Sequence, residues 1–166
     1  MIKNKTIRIL AIAPTSRGFG YAVMEGSDWL MAHGNKAILK NKNAGALKWV
    51  DKFIRFYQPS VLMLPDVNAT DTHRAARIKT LHQQIGALAK KYQVKLKLVK
   101  ATKMRERLLG DSKGTKQAMA EKLAEKFSKE LKSRLPPKRR PWMSEDPRMD
   151  IFDAVGLVVM FWPSEK

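Results

Sequence analysis

Ile7-Arg8-Ile9-Leu10-Ala11-Ile12-Ala13, the break Pro14-Thr15-Ser16-Arg17-Gly18, and Phe19-Gly20-Tyr21-Ala22-Val23-Met24 form the stretch from which the architecture follows. The first run is almost continuously apolar and rich in isoleucine, the pattern of a strand buried on both faces. Proline and glycine interrupt it, and apolar character then resumes, so a second strand is expected to fold back on the first. Gly26-Ser27 is a further turn signal, and Trp29 to His33 reads as a third short strand. Three strands at hairpin spacing predict an antiparallel meander.

Downstream the period changes. Ala46, Leu47, Val50, Phe53, Ile54 and Tyr57 share one helical stripe, and Pro59 ends it. Val61 to Leu64 is a short buried strand. Ile78, Leu81, Ile85, Leu88 and Tyr92 mark a second helix, and Val94, Leu96 and Leu98 alternate with lysines as an edge strand. Met104 to Leu109 is a short helix stopped by Gly110. A longer helix then points Met119, Leu123, Phe127 and Leu131 inward. A Pro-rich basic loop covers Leu135 to Pro147, and a nearly all-apolar helix spans about Arg148 to Phe161. This order predicts an α/β fold in one domain, residues 1–166. Its mixed five-stranded sheet has three antiparallel strands followed by βαβ crossovers, with helices on both faces.

With 44% hydrophobic and 29% charged residues the chain has a globular balance. It contains no cysteine, which excludes disulfides, thiolate metal sites and cysteine nucleophiles. Met1 to Thr6 runs into an apolar stretch without a small-residue cleavage site, so no signal peptide is expected. The longest apolar segment, Ile151 to Trp162, contains Asp153 and is too short to cross a bilayer. A soluble protein in a cytoplasmic setting is expected. Lys and Arg number 33 against 15 Asp and Glu, a formal charge of +18. The natural partner for such a charge is a polyanion, and nucleic acid is the leading one. Charge alone leaves DNA and RNA both open.

Four segments in order resemble the RuvC-type Holliday-junction resolvases of the ribonuclease H-like superfamily. Ile12 to Val23 is similar to the family's first strand and hairpin, I-D-P-G-S-x-x-x-G-Y-x-V. Pro59 to Asp66 stands where the family's second strand motif ends in a glutamate. Val99 to Lys116 places Gly110 and Lys116 like the family's glycine and phosphate-contacting lysine, with Arg105 where another basic residue is usual. Asp150-Ile151-Phe152-Asp153-Ala154 resembles the closing D-x-x-D-A helix. The resemblance implies a ribonuclease H-like fold and a metal-dependent endonuclease acting on branched DNA in recombination and repair. It also implies a homodimer and two Mg²⁺ or Mn²⁺ ions held by carboxylates. The residues so implied are Asp66, Asp150 and Asp153 as metal ligands, with Lys116 completing the catalytic set. Two positions depart from the pattern. Ala13 replaces the central aspartate of the first strand, and Pro65 stands at the glutamate position with Asp66 one residue later. An inactive, purely nucleic-acid-binding protein with this fold is therefore the alternative.

The residues themselves carry part of this reading. Asp146, Asp150 and Asp153 lie at i, i+4 and i+7, on one helical face if the helix begins early enough. Acids that favour a helix N-terminus account for the first two. Asp153, inside an apolar run, demands a metal or counter-charge. Candidate phosphate contacts are Ser16 and Arg17 in the first turn, Arg74 and Arg77 early in the second helix, and Lys103, Arg105, Lys113 and Lys116 around Gly110. Arg139, Arg140 and Trp142 complete the set. Trp142 either stacks on a base or pins its loop to the core.

Overall fold

The computed structural model describes residues 6–66 and 76–162. The predicted meander is present as β1 (Arg8–Pro14), β2 (Gly18–Glu25) and β3 (Trp29–Ala37). β1 pairs antiparallel with β2 from Arg8↔Glu25 to Pro14↔Phe19, and β3 extends four residues beyond the expected His33 because it pairs as far as Gly18↔Ala37. Helix α1 (Lys42–Tyr57) leads to β4 (Val61–Pro65), and α2 (Ala76–Lys91) leads to β5 (Lys95–Val99). Both crossovers return parallel, giving the sheet order β3-β2-β1-β4-β5. The remaining helices are α3 (Ala101–Leu109), α4 (Lys116–Lys126), α5 (Ser128–Leu131) and α6 (Met149–Val159). Among the described residues no helix is long and apolar enough to cross a membrane.

Strand alternation divides the core. Leu10 and Ile12 of β1 face one way, into a cluster with Val50, Phe53 and Ile54 of α1 and Leu81 and Ile85 of α2. Ile9, Ala11 and Ala13 face the other way, against Val155 and Val158 of α6 and Leu123 of α4. α6 lies so close to β2 that a Cβ at Gly20 would come within 1.8 Å of the Asp150 carbonyl oxygen. Gly20 stands opposite Ala13 in the β1–β2 ladder, so the two small residues make room for the start of α6.

One expected helix differs. The single long helix through Leu131 is broken at Phe127, whose φ of −118° and ψ of 56° leave the helical region. The break separates α4 from α5, and Phe127 and Leu131 are both buried. The last helix begins at Met149, one residue after the expected Arg148, and does not reach Asp146. Asp146 accepts hydrogen bonds from the backbone N–H, Nε and Nη2 of Arg148 at 2.9, 3.1 and 2.8 Å, a tight local turn that competes with helix. Asp146 therefore does not share a helical face with Asp150 and Asp153.

Candidate nucleic-acid and metal site

The site forms where the β1 end, the β1–β2 turn and the start of α6 meet. Backbone bonds fix the turn: the Thr15 N–H donates to the Gly18 carbonyl at 2.9 Å, and the Ile38 N–H to the Arg17 carbonyl at 3.0 Å. Lys42 Nζ donates to the Ser16 carbonyl at 2.6 Å and Arg77 Nη2 to the Thr15 carbonyl at 3.2 Å. Arg77 is thus a brace for the turn, while Ser16 stays exposed at its tip.

Three carboxylates converge beneath this turn. Glu145, Asp150 and Asp153 offer oxygens that all lie within 4.8 Å of one another. Asp150 is 2% exposed, and both of its oxygens accept: Oδ2 from Thr15 Oγ1 at 3.1 Å, and Oδ1 from Arg17 Nη2 at 2.5 Å. Arg17 also reaches Glu145 at 3.5 Å. Lys116, the first residue of α4, lies 3.6 Å from Glu145 and 3.5 Å from Asp153. Three negative charges are interleaved with two positive ones. Burial pushes the Asp153 carboxyl above its ordinary pKa, with Lys116 opposing and Glu145 and Asp150 reinforcing the shift. Burial also raises Asp150, against the lowering effect of Arg17 and Thr15.

A cleft of about 270 Å³ opens over this group, lined among others by Ala13, Arg17, Pro65, Arg105, Lys116 and Asp153. Its deeper wall is apolar, from Ile78, Val99, Met104, Met119 and Leu157. Arg17 and Arg105 each carry a buried Nε–H with no partner among the described residues. A second cavity, of about 370 Å³, shares Lys116 and Glu145 with the first and continues along Pro136, Pro137, Lys138 and Arg139. The two cavities form one cation-lined path.

The structure brings together Arg17, Arg105, Lys116, Asp150 and Asp153, with Arg139 along the path. Asp66 is not in the carboxylate group. β4 continues through Pro65, which pairs with Val99, and the alternation that puts Val61 and Met63 on the α6 side puts Pro65 there too. Pro65 lines the cleft, and the Asp66 N–H caps the Val99 carbonyl at 2.8 Å. Lys103 and Lys113 are exposed on the outer surface, Lys103 pairing with Glu106 at 3.6 Å. Arg74 lies outside the described residues. Trp142 is 76% exposed and carries Arg140 over its ring at 5.6 Å, so it does not pin the loop to the core. Glu145 and Thr15 are the members that motif matching underrates. Glu145 precedes the helix in the Pro-rich loop, and only its spacing from Asp150 and Asp153 hints at its role.

The carboxylate group fits one divalent cation by the chemistry of its donors, hard oxygens from a loop and a helix. It does not fit two, because Ala13 offers no donor on the strand side.

The topology is an α/β fold with a mixed five-stranded sheet in the order β3-β2-β1-β4-β5. RuvC from Thermus thermophilus has the same fold, with a TM-score of 0.68 and 13% identity over 92% of each chain. The T. thermophilus RuvC bound to its Holliday junction substrate matches at a TM-score of 0.64 and 12% identity, over 92% of this chain and 90% of that one. No protein-family model and no curated protein matches the chain.

Proposed function

We propose that this protein binds the backbone of branched or structured DNA along the cation-lined path, and that Glu145, Asp150 and Asp153 hold one Mg²⁺ or Mn²⁺ beside it. The supporting observation is the pairing of two kinds of group in one cleft. Arg17 and Arg105 each have a buried N–H donor without an acceptor among the described residues, a costly arrangement that a phosphate oxygen relieves. Lys116 and the three carboxylates lie directly beside them. The neighbouring RuvC structure with a Holliday junction gives the branched-DNA preference its starting point. Arg139, Arg140 and the exposed ring of Trp142 extend the contact, the ring serving to stack on an unpaired base.

The cation supplies charge to anchor a phosphate and, in a hydrolytic site, to lower the pKa of water. The chain's own residues orient the strand: Lys116 and Arg105 hold phosphate oxygens, and Asp153 and Glu145 keep Lys116 in place. Because Ala13 removes the strand-side ligand, binding is expected to exceed cleavage. A second reading, an active endonuclease, keeps the same site and needs one carboxylate restored.

The test uses labelled four-way junction, linear duplex, single-stranded DNA and RNA, each with and without Mn²⁺. The protein, Ala13→Asp and the double variant Arg105→Ala with Lys116→Ala are compared. Expected are preferential junction binding, an affinity loss of roughly 1–3 kcal/mol per lost phosphate contact in the double variant, and cleavage that appears or rises in Ala13→Asp. Equal binding to RNA and junction overturns the substrate assignment, and undiminished binding by the double variant overturns the cleft.

A further inference from the structure

The most buried carboxylate of the cation-binding group is already taken. Both oxygens of Asp150 accept hydrogen bonds, one from Thr15 and one from Arg17 at 2.5 Å. Lys116 differs, at 3.5 Å from Asp153 and 46% exposed. Resting on the proposed cation and phosphate site, we infer that Arg17 makes cation occupancy of Glu145, Asp150 and Asp153 conditional on the arrival of a backbone phosphate.

The physical basis is an exchange of partners. Asp150 at 2% exposure does not tolerate a lone charge, so Arg17 leaves it only as another cation arrives. Arg17 in turn is a partly buried guanidinium whose Nε–H already has no acceptor among the described residues, so it leaves a carboxylate only for another anion. A phosphate satisfies that requirement with two oxygens in the fork geometry that guanidinium prefers. Lys42, Arg77 and the Ile38 N–H hold the turn's backbone, so the exchange needs only the Arg17 side chain to swing. Two states follow. In one, Arg17 neutralises Asp150 and the cation is excluded; in the other, Arg17 holds phosphate and the carboxylates accept the cation. Coupling of this kind is reciprocal, so the cation tightens DNA binding by the factor by which DNA tightens cation binding.

The experiment follows free Mn²⁺ by electron paramagnetic resonance as it is titrated into the full chain, with and without a four-way junction. The unaltered protein is expected to bind Mn²⁺ at least tenfold more tightly with DNA present. Arg17→Gln keeps a neutral donor toward Asp150 and removes the charge. It is expected to bind Mn²⁺ at least tenfold more tightly than the unaltered protein without DNA, with the gain from DNA reduced. Arg17→Lys keeps the charge and is expected to keep most of the exclusion. If Arg17→Gln does not fold, the Arg17 Nε–H resonance of the unaltered protein decides, because it must shift when junction and diamagnetic Mg²⁺ are added together and stay in place when Mg²⁺ is added alone. Unchanged Mn²⁺ affinity in Arg17→Gln, or an unmoved Arg17 resonance in protein bound to both DNA and Mg²⁺, overturns the inference. Loss of Mn²⁺ binding in Asp150→Asn shows in the same titration that the carboxylate group still holds the cation. Absence of Mn²⁺ binding under every condition overturns both readings.

Discussion

Asp153 carries a charge whose position works against the fold. Its carboxylate sits over the α6 side of the core, where desolvation raises its pKa and Glu145 and Asp150 raise it further. Lys116 pulls in the opposite direction but is nearly half exposed, and a pair of that kind contributes little. A carboxyl whose folded pKa lies above its unfolded one binds its proton more tightly in the native state. Its contribution is therefore fully present below the ordinary carboxylate pKa and is lost as pH rises through the folded value. Near neutral pH the ionised group destabilises the cation-free protein, the cost expected of a site kept for binding. Asp153→Asn removes that charge while keeping the shape. Thermal melts without divalent cation are expected to show the variant more stable at pH 7, with the difference closing as pH falls toward the carboxylate range. A variant that melts earlier at pH 7 would mean that Lys116 more than compensates for burial. The sequence showed why Asp153 needs a partner, since it is an acid inside an apolar run. It did not show that Asp150, two residues inside the helix, would be the more buried of the two.

At the scale of elements, the site depends on how α6 meets the sheet. Gly20 allows the contact, since a Cβ there would lie 1.8 Å from the Asp150 carbonyl oxygen and 3.1 Å from the Asp150 Cβ. The first clash is with backbone, so α6 itself has to shift. Gly20→Ala is expected to destabilise the protein by about 1–3 kcal/mol or more, read as a lower denaturation midpoint. It is also expected to weaken Mn²⁺ binding by displacing Asp150. An unchanged midpoint would show that α6 is seated less tightly than this contact requires. Apolar periodicity made α1, α2 and the buried face of α6 legible, because burial of a stripe leaves the same mark in any fold. The start of α6 was legible to within one residue, but whether Asp146 would lie on its face was not. Asp146, Asp150 and Asp153 have helical spacing whether the helix begins at 146 or 149, and the choice rests on Arg148 folding back onto Asp146. The break at Phe127 was hidden for a similar reason, since Phe127 and Leu131 are buried with or without a continuous helix. At Pro65 the strand runs on without a shift, so Pro65 faces the cleft and Asp66, expected as a ligand, lies outside the carboxylate group.

Across the whole molecule the charge of +18 was plain from the sequence, but its distribution was not. Some cations are engaged within the fold: Arg77 braces the first turn, Arg107 donates to the Met160 carbonyl at 3.0 Å, and Arg8 pairs with Glu25 at 3.2 Å. Others line the path across the two cavities, namely Arg17, Arg105, Lys116, Lys138 and Arg139. The two sets predict different salt behaviour. A protein that neutralises Z phosphates on a duplex loses affinity with a slope of about −0.9Z in log K against log salt. If each of the five path cations meets one phosphate, the slope is roughly −4 to −5. If the whole surface charge acted as a diffuse cloud, removing any one lysine would change the slope equally. Binding isotherms over a range of KCl concentrations separate these cases. Arg139→Ala, on the path, is expected to flatten the slope by about 1. Lys90→Ala, exposed on α2 and away from both cavities, is expected to leave it unchanged. Equal flattening by the two substitutions would mean that DNA is held by net charge alone and that the path does not direct it.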